Sequence, residues 1–117
     1  ELFKSLVPSD HWRKVLGQAA HEVANLIIQD RIDILVELAG HTANNRLDVA
    51  ALKPAPVQFT YIGYNNTTGL GAVDYRITDA VVDPVNTEQQ FVEELVRLPG
   101  CFLCYTPPAC IPDVGPL

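Results

Sequence analysis

Two short stretches concentrate the side chains that could do chemistry. The first is Gly40-His41-Thr42-Ala43-Asn44-Asn45-Arg46. It leads directly into a helical pattern, and the free N–H groups of a helix start favour an anion. Arg46 would add a permanent, forked cation suited to phosphate or to a sugar hydroxyl. His41 would serve as a hydrogen-bond donor or as a titrating base. The plainer alternative is that Asn and Thr cap the helix and the histidine is solvated. The second stretch is Ile62-Gly63-Tyr64-Asn65-Asn66-Thr67-Thr68-Gly69-Leu70-Gly71. Its glycines permit close backbone approach to a ligand. Asn66, Thr67 and Thr68 can give and take hydrogen bonds, as recognition of hydroxyls requires. A long structural turn is the alternative here. The stretch lacks the Gly-Lys-Ser/Thr ending of a phosphate loop, and no Gly-x-Ser-x-Gly elbow occurs.

Other candidates are weaker. Asp74, Arg76 and Asp79 flank a short apolar run and read as a surface ion pair. Glu93 and Glu94 read as solvated residues on the polar side of a helix. No close carboxylate pair suggests a glycosidase dyad. Cys101, Cys104 and Cys110 form an odd, clustered set rather than a secreted disulfide framework. Zinc at Cys101 and Cys104 would need further ligands, and the nearest histidine lies 60 residues upstream. The cysteines therefore read as buried, reduced thiols with no metal, in a reducing compartment where the sequons at Asn65 and Asn66 go unused. A net charge of −6, with only eight basic residues, argues against nucleic acid as a partner. No apolar run is long enough to cross a membrane.

The elements that must position the two stretches alternate between helix and strand. Gln18 to Gln29 predicts a helix, with Ala19, Val23 and Ile27 in one apolar row and Ala20, Ala24 and Ile28 beside it. Asp33 to Leu38 predicts a strand covered on both faces, because Ile34-Leu35-Val36 does not alternate. A short helix over Asn45 to Leu52 must stop before Pro54. Strands follow over Val57 to Ile62 and Tyr75 to Thr78. Thr87 and Gln90 have capping-box spacing ahead of Phe91, Val92, Leu95 and Val96, which predicts another helix. Cys101 to Tyr105 would be a last strand. The expected organisation is one partial domain over residues 1–106 and a Pro-rich linker or cut end over residues 107–117. The expected class is α/β, a Rossmann-like parallel sheet whose ligands bind at the C-terminal strand ends.

Several motifs in order carry a family resemblance. They are Asp33-Ile34-Leu35-Val36-Glu37-Leu38-Ala39-Gly40-His41-Thr42-Ala43-Asn44-Asn45-Arg46, Lys53-Pro54-Ala55-Pro56-Val57-Gln58 and Ile62-Gly63-Tyr64-Asn65-Asn66-Thr67-Thr68-Gly69-Leu70. Asp74-Tyr75-Arg76-Ile77-Thr78-Asp79, Val92 to Pro99 and Cys101 to Pro107 continue the series. Together they resemble the SPINDLY-like protein O-glycosyltransferases of the O-GlcNAc transferase family, glycosyltransferase family 41. The resemblance implies part of the N-terminal lobe of a GT-B catalytic region. It implies transfer of a sugar from UDP-GlcNAc or GDP-fucose to Ser/Thr hydroxyls of nuclear and cytosolic proteins. No metal or cofactor would take part beyond the nucleotide sugar as co-substrate. Tetratricopeptide repeats would precede the catalytic region. The backbone at Ile62 and Gly63, with Tyr64, would approach the donor sugar, and Arg46 would lie at the rim. Asn65 and Gly71 stand where the family usually has proline, Asp48 where it has glycine and Lys53 where it has arginine. Residues before Asp33 match poorly. The family's upstream histidine loop and its second lobe are absent, so this chain alone is not expected to catalyse transfer.

Overall fold

The computed structural model describes residues 5–106, 110 and 115. Most of the Pro-rich end therefore lies outside the described residues. After a 3-10 turn at Ser9–His11, helix α1 spans Ala20–Gln29. Glu22 accepts the Ala19 N–H at 2.8 Å and so satisfies one of the free donors of the first turn. Arg31, at φ 54°, closes the helix, with Arg31 N bonded to Ile28 O and Ile32 N to Ile27 O. Strand β1 is Ile34–Glu37 and α2 is the single turn Leu47–Ala50. It is shorter than the sequence predicts, because Lys53 turns to φ 50° ahead of Pro54. Strands β2 (Val57–Thr60), β3 (Tyr75–Asp79) and β4 (Glu94–Leu98) complete a four-stranded parallel sheet in the order β1-β2-β3-β4.

Two predicted elements are corrected. Residues 94–98 form a strand rather than the end of a helix, and Tyr75 to Asp79 pair with Glu94 to Leu98 along the whole of β3. Leu95, Val96 and Leu98 suit either period over so short a run, and the free edge of β3 decides it. Thr87 does not cap a helix; its hydroxyl accepts Gln89 N–H instead. Cys101 to Tyr105 is irregular, with no partner strand to pair it among the described residues.

Burial alternates along the strands, except that Asp79 at the end of β3 is buried as Thr78 is. Leu35, Glu37, Gln58, Thr60, Arg76, Thr78, Leu95 and Arg97 share the covered face. Ile34, Val36, Val96 and Leu98 lie on the other face and are exposed. The sequence predicts that both faces of β1 are covered; the described residues supply helices to one face only. Under that face sits an aliphatic cluster of Val23, Ala24 and Val49, packed by Val15, Ala20 and Ile27. Further along the same face the buried residues are polar, including Gln58, Thr60, Arg76, Thr78, Asp83 and Glu93.

Candidate functional site

Both candidate stretches leave the C-terminal ends of adjacent strands, and they interlock. Tyr61 N donates to Glu37 O at 3.0 Å, which carries the β1–β2 ladder into the second turn. Ile62 then takes φ 60°, and Gly63 N bonds to Tyr61 O at 2.7 Å. A β-branched residue in that region is strained, and such strain persists where surrounding structure imposes it. Here the imposition is visible. A Cβ on Gly63 would sit 2.5 Å from Leu38 O, and one on Gly40 would sit 2.6 Å from Tyr64 Cβ. Neither position admits a side chain, so the two backbones approach as closely as the chain allows.

Glu37, unremarked in the sequence, shapes the first turn. Its carboxylate accepts Ala39 N–H and Gly40 N–H, each at 2.7 Å, and Thr60 Oγ1 at 3.3 Å. His41 bridges to the second turn, with Nε2 3.1 Å from Thr67 O. A carbonyl only accepts, so Nε2 carries the hydrogen that it donates to Thr67 O. The His41 ring stands edge-on to Tyr64 at 5.6 Å. Ile62 and Tyr64 are exposed beside it.

The other predicted side chains are placed differently. Thr67 Oγ1 donates to Glu93 at 2.7 Å and accepts from Gly69 N and Val92 N. The buried Thr68 gives Glu93 both its N–H, at 2.6 Å, and its hydroxyl. Asn66 Oδ1 accepts from Thr67 N and from Gln89 Nε2. These three side chains hold the turn's shape from within. Arg46 is not joined to the His41–Tyr64 contact. Its guanidinium bonds Asp48 Oδ1 at 3.1 Å and Gln18 O at 3.3 Å. It borders a cleft of about 360 Å³ whose walls, from Val15, Val23, Ile27 and Val49 among others, are mainly aliphatic. Glu37, Asn44 and Asn45 join Arg46 as the polar members of that lining.

Charged residues that read as solvated turn out to be buried. Glu93 is 4% exposed. Burial alone would raise its pKa, but bonds from Thr68 and Thr67 outweigh that and hold it below the ordinary value. Arg76 is buried against Asp83 at 3.6 Å rather than paired at the surface. Asp79 is buried too, and accepts Phe102 N, Val82 N and Val81 N; these lower its pKa, Phe102 most. Asp74 does form a surface pair, with Lys53 at 2.5 Å. Cys101, Cys104 and Cys110 are exposed, not buried. Phe102 takes the interior position between the first two, with its N–H on Asp79 and its carbonyl on Tyr61. Among the described residues no cluster of three or more His, Cys, Asp or Glu could hold a metal ion, and no helix is long and apolar enough to cross a membrane.

Comparison with known proteins fits this geometry. The sequence model of Glycosyl transferase family 41 matches residues 9–106, beginning well before the motifs at Asp33. The chain is 58% identical over 106 residues to the probable UDP-N-acetylglucosamine–peptide N-acetylglucosaminyltransferase SPINDLY of Arabidopsis thaliana, covering 91% of this chain and 11% of the relative. It is 56% identical, with the same coverage, to the protein of that name from Eustoma exaltatum subsp. russellianum. Among solved structures, a K341M mutant of the Thermobaculum terrenum O-GlcNAc transferase superposes with a TM-score of 0.85 at 38% identity. That match covers 97% of this chain and 22% of the other. The chain thus spans about a tenth of the length of the curated relatives.

Proposed function

The chain belongs to glycosyl transferase family 41, and we propose that it builds one wall of the donor-sugar pocket in a protein O-glycosyltransferase. The observation that carries this reading is the interlock of the two turns, where Gly40 meets Tyr64 and Gly63 meets Leu38. It puts Ile62, Gly63, Tyr64 and His41 at one rim of a parallel sheet, where open α/β sheets bind ligands. The open face beside β1 would be covered by the rest of a GT-B lobe, as parallel sheets require.

In the proposed reaction a Ser or Thr hydroxyl of a protein attacks the anomeric carbon of a nucleotide sugar. The new C–O bond forms as the bond to the nucleoside diphosphate breaks. The hydroxyl proton passes to a base, and no metal or cofactor is used. Gly63 and the neighbouring backbone orient the sugar. His41, beside Tyr64, acts as the proton acceptor in this reading, and Arg46 is assigned to the rim. Asn66, Thr67 and Thr68 act on the donor through the turn they stiffen. The relatives' names give UDP-GlcNAc as donor, and the SPINDLY-like motifs add GDP-fucose. The targets would be nuclear and cytosolic proteins, by the same resemblance.

The test is donor hydrolysis and peptide transfer by the full-length protein with UDP-GlcNAc and GDP-fucose in parallel. Turnover of one donor is expected, cut by His41→Ala. A full-length protein that turns over neither would instead be a diverged relative acting as a binding module.

A further inference from the structure

The turn after β2 rests on an arginine that the proposed chemistry does not use. Arg76 Nη1 donates to Tyr64 O at 3.2 Å and to Asn66 O at 3.3 Å. Its Nε faces Asp83 without a hydrogen bond, Nη2 has no partner, and the Phe91 ring lies 5.7 Å from Cζ. Its side chain is 2% exposed. Burying a guanidinium this incompletely satisfied does not favour the fold, since a well-packed apolar side chain would avoid the desolvation. What arginine supplies here is directional: one nitrogen fixes the two carbonyls that bracket Asn65.

That grip has a consequence on the far side of the peptide plane. In a trans peptide C=O and N–H point in opposite directions, and among the described residues no peptide is cis. Drawing Tyr64 O inward onto Arg76 therefore aims the Asn65 N–H away from the interior. Asn65 is exposed, and its N–H makes no hydrogen bond among the described residues. A proline at this position would have no N–H to aim.

We propose that the Asn65 backbone N–H is a hydrogen-bond donor to an oxygen of the nucleotide sugar, and that Arg76 is the positioning residue that presents it. The inference rests on the reading of this turn as the donor-sugar wall. It is tested in the full-length protein with whichever of UDP-GlcNAc or GDP-fucose the wild type turns over. Asn65→Pro removes the N–H, while Asn65→Ala removes only the side chain. Donor KM should be about tenfold higher for N65P than for N65A, as for one lost hydrogen bond to a charged or strongly polar group, with kcat within about threefold. Arg76→Met should raise donor KM similarly, and adding N65P to it should add little, because the two changes remove one interaction. A merely structural arginine would shift the melting temperature and leave that non-additivity absent. Equal donor KM for N65P and N65A overturns the inference even if R76M fails to fold. A wild type with no saturable donor use overturns the functional reading and this inference with it.

Discussion

The covered face of the sheet is built in two ways. Beside β1, Val23, Ala24 and Val49 pack through side chains with no polar atoms. Beside β3 and β4, the interior holds Arg76, Asp79, Asp83 and Glu93, each tied to named backbone or hydroxyl partners. Apolar packing is non-directional and tolerates volume-conserving change. A buried charge is tolerated only in one arrangement, because loss of a partner leaves it desolvated and unpaired. The aliphatic half therefore supplies stability, and the polar half supplies shape. The turn that needs a defined shape is attached to the polar half.

The strongest way to break this division is at the glycines where the two turns meet. Gly63→Ala would place a Cβ against the Leu38 carbonyl and the Ala39 backbone, neither of which is a flexible side-chain end. It should cost about 3 kcal/mol of stability. It should also lower transfer by the full-length protein by roughly 100-fold, as misplacing a reacting wall by an ångström does. Melting and single-substrate kinetics measure the two losses separately. Full activity in G63A would remove the close approach from the mechanism.

Next comes Glu93. Glu93→Gln keeps the shape but loses the charge that two threonines and a backbone N–H address, and should cost about 2 kcal/mol. Because the folded pKa of Glu93 is depressed, its contribution is complete above the ordinary glutamate value of about 4.3 and is lost as pH falls through the lower folded value. The protection of amides 66–70, measured against their intrinsic exchange rates at each pH, should therefore fall in the wild type as pH drops through the depressed Glu93 value, while E93Q shows the lower protection already at neutral pH. Identical exchange in both proteins at pH 7 would contradict a bracing role.

The sequence discloses the aliphatic half far better than the polar one. Helix α1 and strands β1 to β3 announce themselves through apolar periodicity, and Gly40 and Gly63 through their place after strands. Phe91 to Val96 fits two periods at once, and only the free edge of β3 selects a strand. Arg76 and Glu93 look like surface residues because a charge in a sequence carries no sign of its partner. Glu93 finds Thr67 and Thr68, 26 and 25 positions away. Arg46 follows the same logic: nothing in the sequence shows that its guanidinium bonds Asp48 and the Gln18 carbonyl.

The comparison sharpens at Val49, in the aliphatic half. Val49→Ala removes buried methyl groups and should cost roughly 1.5 kcal/mol. It leaves every bond to the turn intact, so donor KM should stay within about twofold while the melting temperature falls. A rise in donor KM as large as that expected of R76M would mean that the two halves are coupled, and the division of labour would fail.

The smallest effect is expected where charge meets solvent. Lys53 and Asp74 pair at 2.5 Å, yet each side chain remains about a third exposed. The Asp74 pKa is lowered first by Lys53 and then by the Gln58 N–H, which lies 2.7 Å from the same oxygen. Lys53→Met should therefore cost less than about 1 kcal/mol, because water screens the pair and Gln58 still satisfies the carboxylate. Raising the salt concentration should shrink even that difference. A loss that matched E93Q and ignored salt would place Lys53 with the buried charges, and exposure would no longer separate the charges that shape the turn from those that only decorate the surface.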